Sequence, residues 1–167
     1  MGPQNGSLKI KTGREGAAAK AGHDLVLGVN SWSGTIDVEG GSAELTADPS
    51  SVEVIEGSGG AKPLKDKDKA DIKKSIGKDV LGTSEITFKS SSVEQNDGQL
   101  NVSGDLSIAG KSSSVTIPLS VGDDGTVTGS LKLDTNDFGI KQFSAMFGAL
   151  KVKDQVDVLI EAKLPTG

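Results

Sequence analysis

Residues 98–121 read GQLNVSGDLSIAGKSSSVTIPLSV, and the placement of apolar residues within them decides the fold class. Leu100 and Val102, then Leu106 and Ile108, alternate with polar neighbours, and Val115, Ile117, Leu119 and Val121 alternate again. A period of two sends successive side chains to opposite faces of an extended strand, so each run buries one face and wets the other. Between the runs lies Ala109-Gly110-Lys111, which supplies residues tolerant of positive φ and predicts a tight hairpin.

The same pattern extends outward in both directions. Ile86 and Phe88 precede the stretch, separated from it by the turn Asn96-Asp97-Gly98. Val127, Leu131 and Leu133 follow it after Gly122-Asp123-Asp124-Gly125, and Val156, Val158 and Ile160 close the chain. In the first half, residues 7–12, the alternation Leu25, Leu27, Val29, and residues 35–39, 43–46 and 52–55 read as successive antiparallel strands. Two segments depart from this pattern. The Ala-rich residues 13–21 predict two helical turns, and Ile72, Ile76 and Val80, recurring at i+4, predict a helix that Asp66 or Asp68 caps. Residues 1–6 are polar, with nothing to bury, and read as a disordered tail ahead of a single domain over 7–167.

About nine strands, each with one apolar face, require two packed sheets or one sheet closed on itself. The inward sets are Leu, Ile and Val with almost no large rings. This favours an all-β, mainly antiparallel barrel of about eight strands, closed or nearly closed, with one or two short helices and an unfilled interior. A sandwich or barrel filled by aliphatic side chains, acting as a structural or protein-interaction module, is the alternative.

Composition removes several functions. Eighteen Lys and Arg against 23 Asp and Glu leave a net charge of −5, unsuited to a phosphate backbone, so no nucleic-acid partner is expected. The chain has no Cys and one His, which excludes thiol chemistry, Cys-ligated metals and multi-histidine sites; neither a metal nor a cofactor is expected. No apolar run is long enough for a membrane span, and residues 1–20 lack the core of a secretory signal. The chain as it stands therefore reads as soluble and cytoplasmic, and a processed form would be periplasmic or secreted. Its oligomeric state is not encoded in any pattern found.

Local motifs support no catalysis. Residues 104–112 mimic a phosphate loop with one residue too many between the glycines, and residues 134–145 mimic a calcium loop with Phe138 and Ala145 at ligand positions. No Ser has the G-x-S-x-G setting. His23-Asp24 lacks a third partner and reads as a polar residue ahead of a strand, or as a headgroup contact. Residues 62–78 hold seven lysines, among them Lys73, and read as a solvated helix face or a positive collar for an anionic headgroup.

Residues 86–90 (ITFKS), residues 98–110 (GQLNVSGDLSIAG), the strand ending Ile117-Pro118-Leu119, and Asp137-Phe138-Gly139-Ile140 followed by residues 152–160 resemble the YceI-like proteins. The resemblance covers residues 7–164. It implies a lipocalin-like, non-enzymatic barrel that takes a long isoprenoid or acyl chain inside, so the expected partner is an apolar small molecule. On strand parity, Leu25, Leu27, Ile36, Val54, Phe88, Leu106, Leu119 and Leu131 point into such a lumen. Phe138, Phe143, Met146 and Phe147 would form a mobile or plugging element, with His23 and Lys73 toward a headgroup. Burying several hundred Å² of tail at about 25 cal/mol per Å² gains roughly 10 kcal/mol before binding costs.

Overall fold

Alternating apolar residues form strands along most of the chain in the computed structural model, which describes residues 1–17, 19–60, 63–140, 144–145 and 150–165. The strands of the first half are β1 (Gly6–Lys11), β2 (Arg14–Glu15), β3 (Asp24–Val29), β4 (Trp32–Asp37), β5 (Ser42–Ala47) and β6 (Val52–Ser58). Helix α1 (Asp66–Ser75) continues as a wider, π-wound turn, Ile76–Leu81. Then come β7 (Ile86–Asn96), β8 (Gln99–Ile108), β9 (Lys111–Val121), β10 (Thr126–Asp134), β11 (Ser144–Ala145), β12 (Leu150–Val152) and β13 (Gln155–Lys163).

Ten strands make one curled antiparallel sheet in the order β4-β5-β7-β8-β9-β10-β13-β1-β3-β6, a half-barrel of the lipocalin-like all-β type; β11, β12 and β2 form a small second sheet. The predicted hairpins are present. Asp97 and Gly98 have φ of 48° and 80°, and Ala109 and Gly110 have 53° and 79°, the positive pair a two-residue hairpin between twisted strands requires.

Residues 52–58 do not pair with the preceding strand β5. Instead β6 joins β3, with a register shift at Val26/Leu27, and becomes an edge. The helix expected over 13–21 is also corrected. Arg14 and Glu15 pair with Val152 and Lys151, and only Ala19–Ala21 winds, as a single 3₁₀ turn; Gly13, Gly16 and Gly22 bracket a segment too short to sustain a helix.

Both sheet edges are covered. Residues 1–5 are not a frayed tail: the Met1 ammonium donates to Gly34 O at 2.8 Å, Gly34 N donates to Met1 O at 2.9 Å, and Asn5 exchanges hydrogen bonds with Lys163. The segment thus caps edge strand β4 and packs the Met1 side chain on the core, burial that composition alone did not reveal. At the other edge α1 packs against β6, where Lys73 Nζ donates to Glu53 Oε1 at 3.0 Å. The Lys65 N–H donates to Asp68 Oδ2, so Asp68 closes the first turn of α1 from the third helical position, with Lys65 at the cap.

One seam in the wall is incomplete. Strands β9 and β10 pair only at Val121/Val127, Ser120/Thr128 and Leu119/Gly129. Val121 N donates to Gly98 O on the β8 side and Gly122 N to Thr126 O on the β10 side, so residue 118 turns its backbone nitrogen toward β10. That residue is Pro118, which has no proton to donate, and the ladder stops there.

Candidate functional site

The concave face of the sheet bounds an open-mouthed cavity of about 580 Å³. Its wall repeats the strand parity: Leu8 and Ile10 from β1, Leu25 and Leu27 from β3, Phe88 from β7, Leu106 from β8, Ile117 and Leu119 from β9, Leu131 from β10, and Val158 and Ile160 from β13. Among the described residues, side chains line this interior without filling it. Ile72, Ile76 and Val80, the i+4 stripe of the helical segment, face the same space and complete the wall beside β6. No side chain of α1 is buried, so the helix covers the lumen without being embedded in the core.

Polar residues meet the cavity on β4 and β5 (Thr35, Glu44), on α1 (Asp71, Ser75) and on β10 (Ser130), and a further group lies where the loops from β1, β10 and β12 meet. Thr12, Arg14, His23, Thr135, Lys151, Lys153 and Asp154 line this rim. Backbone bonds hold it together: Thr12 N donates to Leu25 O, Lys153 N to Gly13 O and Thr135 N to Asp154 O, each at 2.9 Å. Arg14 donates to Gly22 O and lies 3.7 Å from Asp24 Oδ1. Gly59 and Gly60, at φ of 79° and 73°, pass directly over the Arg14 guanidinium and the His23 ring, and a Cβ at either position would collide with them. Glycine there serves both the left-handed backbone and the close approach.

Of the residues picked from sequence for the lumen, Leu25, Leu27, Ile36, Phe88, Leu106, Leu119, Leu131 and Phe138 line the cavity, as does His23. Phe138 is only 2% exposed and belongs to the buried cluster with Phe88, Leu106 and Leu119; the 3₁₀ turn Thr135–Phe138 and Gly139, at φ 65°, set its position. Val54 pairs directly with Leu27 and so shares its face of the sheet, but it packs against the cluster that includes Leu27, Val52 and Leu81 and does not border the cavity. Lys73 also lies away from the cavity, paired with Glu53, whose carboxyl it holds below the usual carboxylate range. Phe143, Met146 and Phe147 lie outside the described residues.

The rim cations Arg14, Lys151 and Lys153 escaped sequence reasoning, since nothing local links residues so far apart in the chain. Trp32 packs at 5% exposure with Leu8, Ala47 and Val52 and does not reach the lumen. Among the described residues no group of three or more acidic or imidazole side chains is placed to hold a metal, and no helix is long and apolar enough to cross a membrane.

The family profile of the YceI-like domain matches residues 9–164. Among solved structures, BcnA of Burkholderia cenocepacia is similar at 21% identity and a TM-score of 0.65, covering 95% of this chain and 96% of its own. A YceI protein of Campylobacter jejuni is similar at 16% identity and a TM-score of 0.62, covering 84% of each chain. These identities establish a shared fold. No curated protein matches the sequence.

Proposed function

The chain belongs to the YceI-like domain family, and from that premise we propose that it carries or stores a long apolar molecule, a polyisoprenoid, isoprenoid quinone or acyl lipid, inside the half-barrel and performs no covalent chemistry on it. The observation that supports this most is the cavity of about 580 Å³ walled mainly by aliphatic side chains, with a group of polar side chains at the rim. Such a lumen is costly to fill with water, which finds few partners on Leu, Ile and Val, and favourable to fill with hydrocarbon. Its volume lies within the range of ordinary ligand sites. The rim suits a polar head, with the hydroxyls of Thr12 and Thr135 and the ammonium groups of Lys151 and Lys153 lining it.

The test is mass spectrometry of an organic extract of the purified protein. A stoichiometric isoprenoid, quinone or acyl lipid is the expected result. Repeated preparations without any bound lipid, and without uptake of one from vesicles, contradict the proposal.

A further inference from the structure

The lumen is also a measure of its occupant. An apolar protein cavity of about 150 Å³ accommodates benzene, about 25 Å³ per non-hydrogen atom, so about 580 Å³ accommodates roughly 23 such atoms. At the end of the sheet where β8 and β10 begin, side chains pack together beyond the lined space. Leu100 and Val127 are 1% and 0% exposed, and neither borders the cavity. On the β6 side, Leu81 seals the segment that follows α1 against Val52 and Leu27. The cavity therefore cannot lengthen toward that end of the sheet without unpacking Leu100 and Val127.

We infer that the protein selects apolar chains of about 20 carbon atoms, four isoprene units or an equivalent acyl chain, and leaves the remainder of any longer chain in water. This inference rests on the proposed binding of an apolar ligand and adds its length class. A chain moving from a bilayer into the lumen exchanges one apolar surrounding for another, so carbons that fit cost little to transfer. Each carbon that does not fit loses its bilayer burial. Extraction from membranes is thus nearly independent of length until the lumen is full and falls steeply beyond that point.

The experiment incubates the purified full chain with phosphatidylcholine vesicles doped with farnesol, geranylgeraniol or octaprenol, separates vesicles by flotation, and measures prenol on the protein by mass spectrometry. Farnesol and geranylgeraniol should be extracted to similar extents, and octaprenol at least about 100-fold less. Octaprenol extracted as efficiently as geranylgeraniol overturns the length limit while leaving apolar binding intact; extraction of none of the three overturns apolar binding itself. Ile117→Trp adds about six non-hydrogen atoms to the wall, roughly one isoprene unit, and should move the cutoff so that farnesol is retained and geranylgeraniol is not. Leu131→Trp makes a comparable change from β10 should the first variant fail to fold. An unmoved cutoff in whichever variant is folded by circular dichroism also overturns the inference.

Discussion

Replacing Leu119 by glutamate turns the lumen against its own ligand, and the size of the effect follows from the site. Leu119 is 8% exposed, lines the cavity, and lies over Gly129 of the neighbouring strand beside Ile160. Glutamate there sets a carboxyl among aliphatic walls, and a bound hydrocarbon excludes the water that would solvate its charge. The group escapes by taking up a proton, so its penalty is capped by the cost of protonation. From an ordinary pKa of about 4.3, that ceiling is about 3.7 kcal/mol at pH 7, roughly 500-fold in affinity, and about 1 kcal/mol at pH 5, roughly sixfold. Burial raises the pKa, so binding should recover as pH falls. Displacement of a fluorescent acyl probe at both pH values, with urea unfolding in parallel, reads how the penalty divides between binding and folding. Lys73→Glu, beside Glu53 and away from the cavity, should alter probe affinity only through a screened, salt-dependent effect. A folded Leu119→Glu that binds like wild type at pH 7 with unchanged stability would place residue 119 in water and refute the reasoning.

Phe138→Ala removes a ring that is 2% exposed and should cost about 3–5 kcal/mol in urea unfolding, partly offset when an apolar probe fills the enlarged lumen. Gly129→Ala drives a Cβ into Leu119 and within 3.0 Å of Pro118 O, so it should destabilise by roughly 1–3 kcal/mol, and Leu119→Ala in the same chain should recover part of that loss. The Asp124 carboxyl is held well below the usual carboxylate range by the Lys163 ammonium at 2.6 Å and by the Thr126 N–H and hydroxyl. Its contribution is therefore present above about pH 4 and declines as pH falls through the lowered value. Asp124→Asn should be less stable than wild type at neutral pH, with the two urea midpoints converging toward pH 2.

Strand parity made most of the lumen legible before any coordinates. Leu106 on β8 and Ile117 and Leu119 on β9 sit in runs where a one-residue slip would expose the whole apolar set, so the pattern fixes their direction. Val54 shows where parity stops short: it shares a face with its partner Leu27, yet it sits on an edge strand against which α1 packs and does not border the cavity. The N-terminal contacts are illegible for a related reason: Met1 and Asn5 find their partners on Gly34 and Lys163, far along the chain, and no local pattern encodes those bonds. Arg14, Lys151 and Lys153 became a rim only once β2 paired with β12. Periodicity reports which face a residue occupies; which faces meet is set by topology.

The central claim is that the apolar chain lies inside the sheet, and intermolecular nuclear Overhauser effects on methyl-labelled protein bound to a deuterated-head, protonated-tail acyl probe test it most directly. Tail protons should show contacts to the methyls of Leu106, Ile117, Leu119 and Leu131, which line the cavity, and none to Ile55, which is 47% exposed on β6. Contacts confined to Ile55 and the outer face, with the lumen methyls silent, would contradict it.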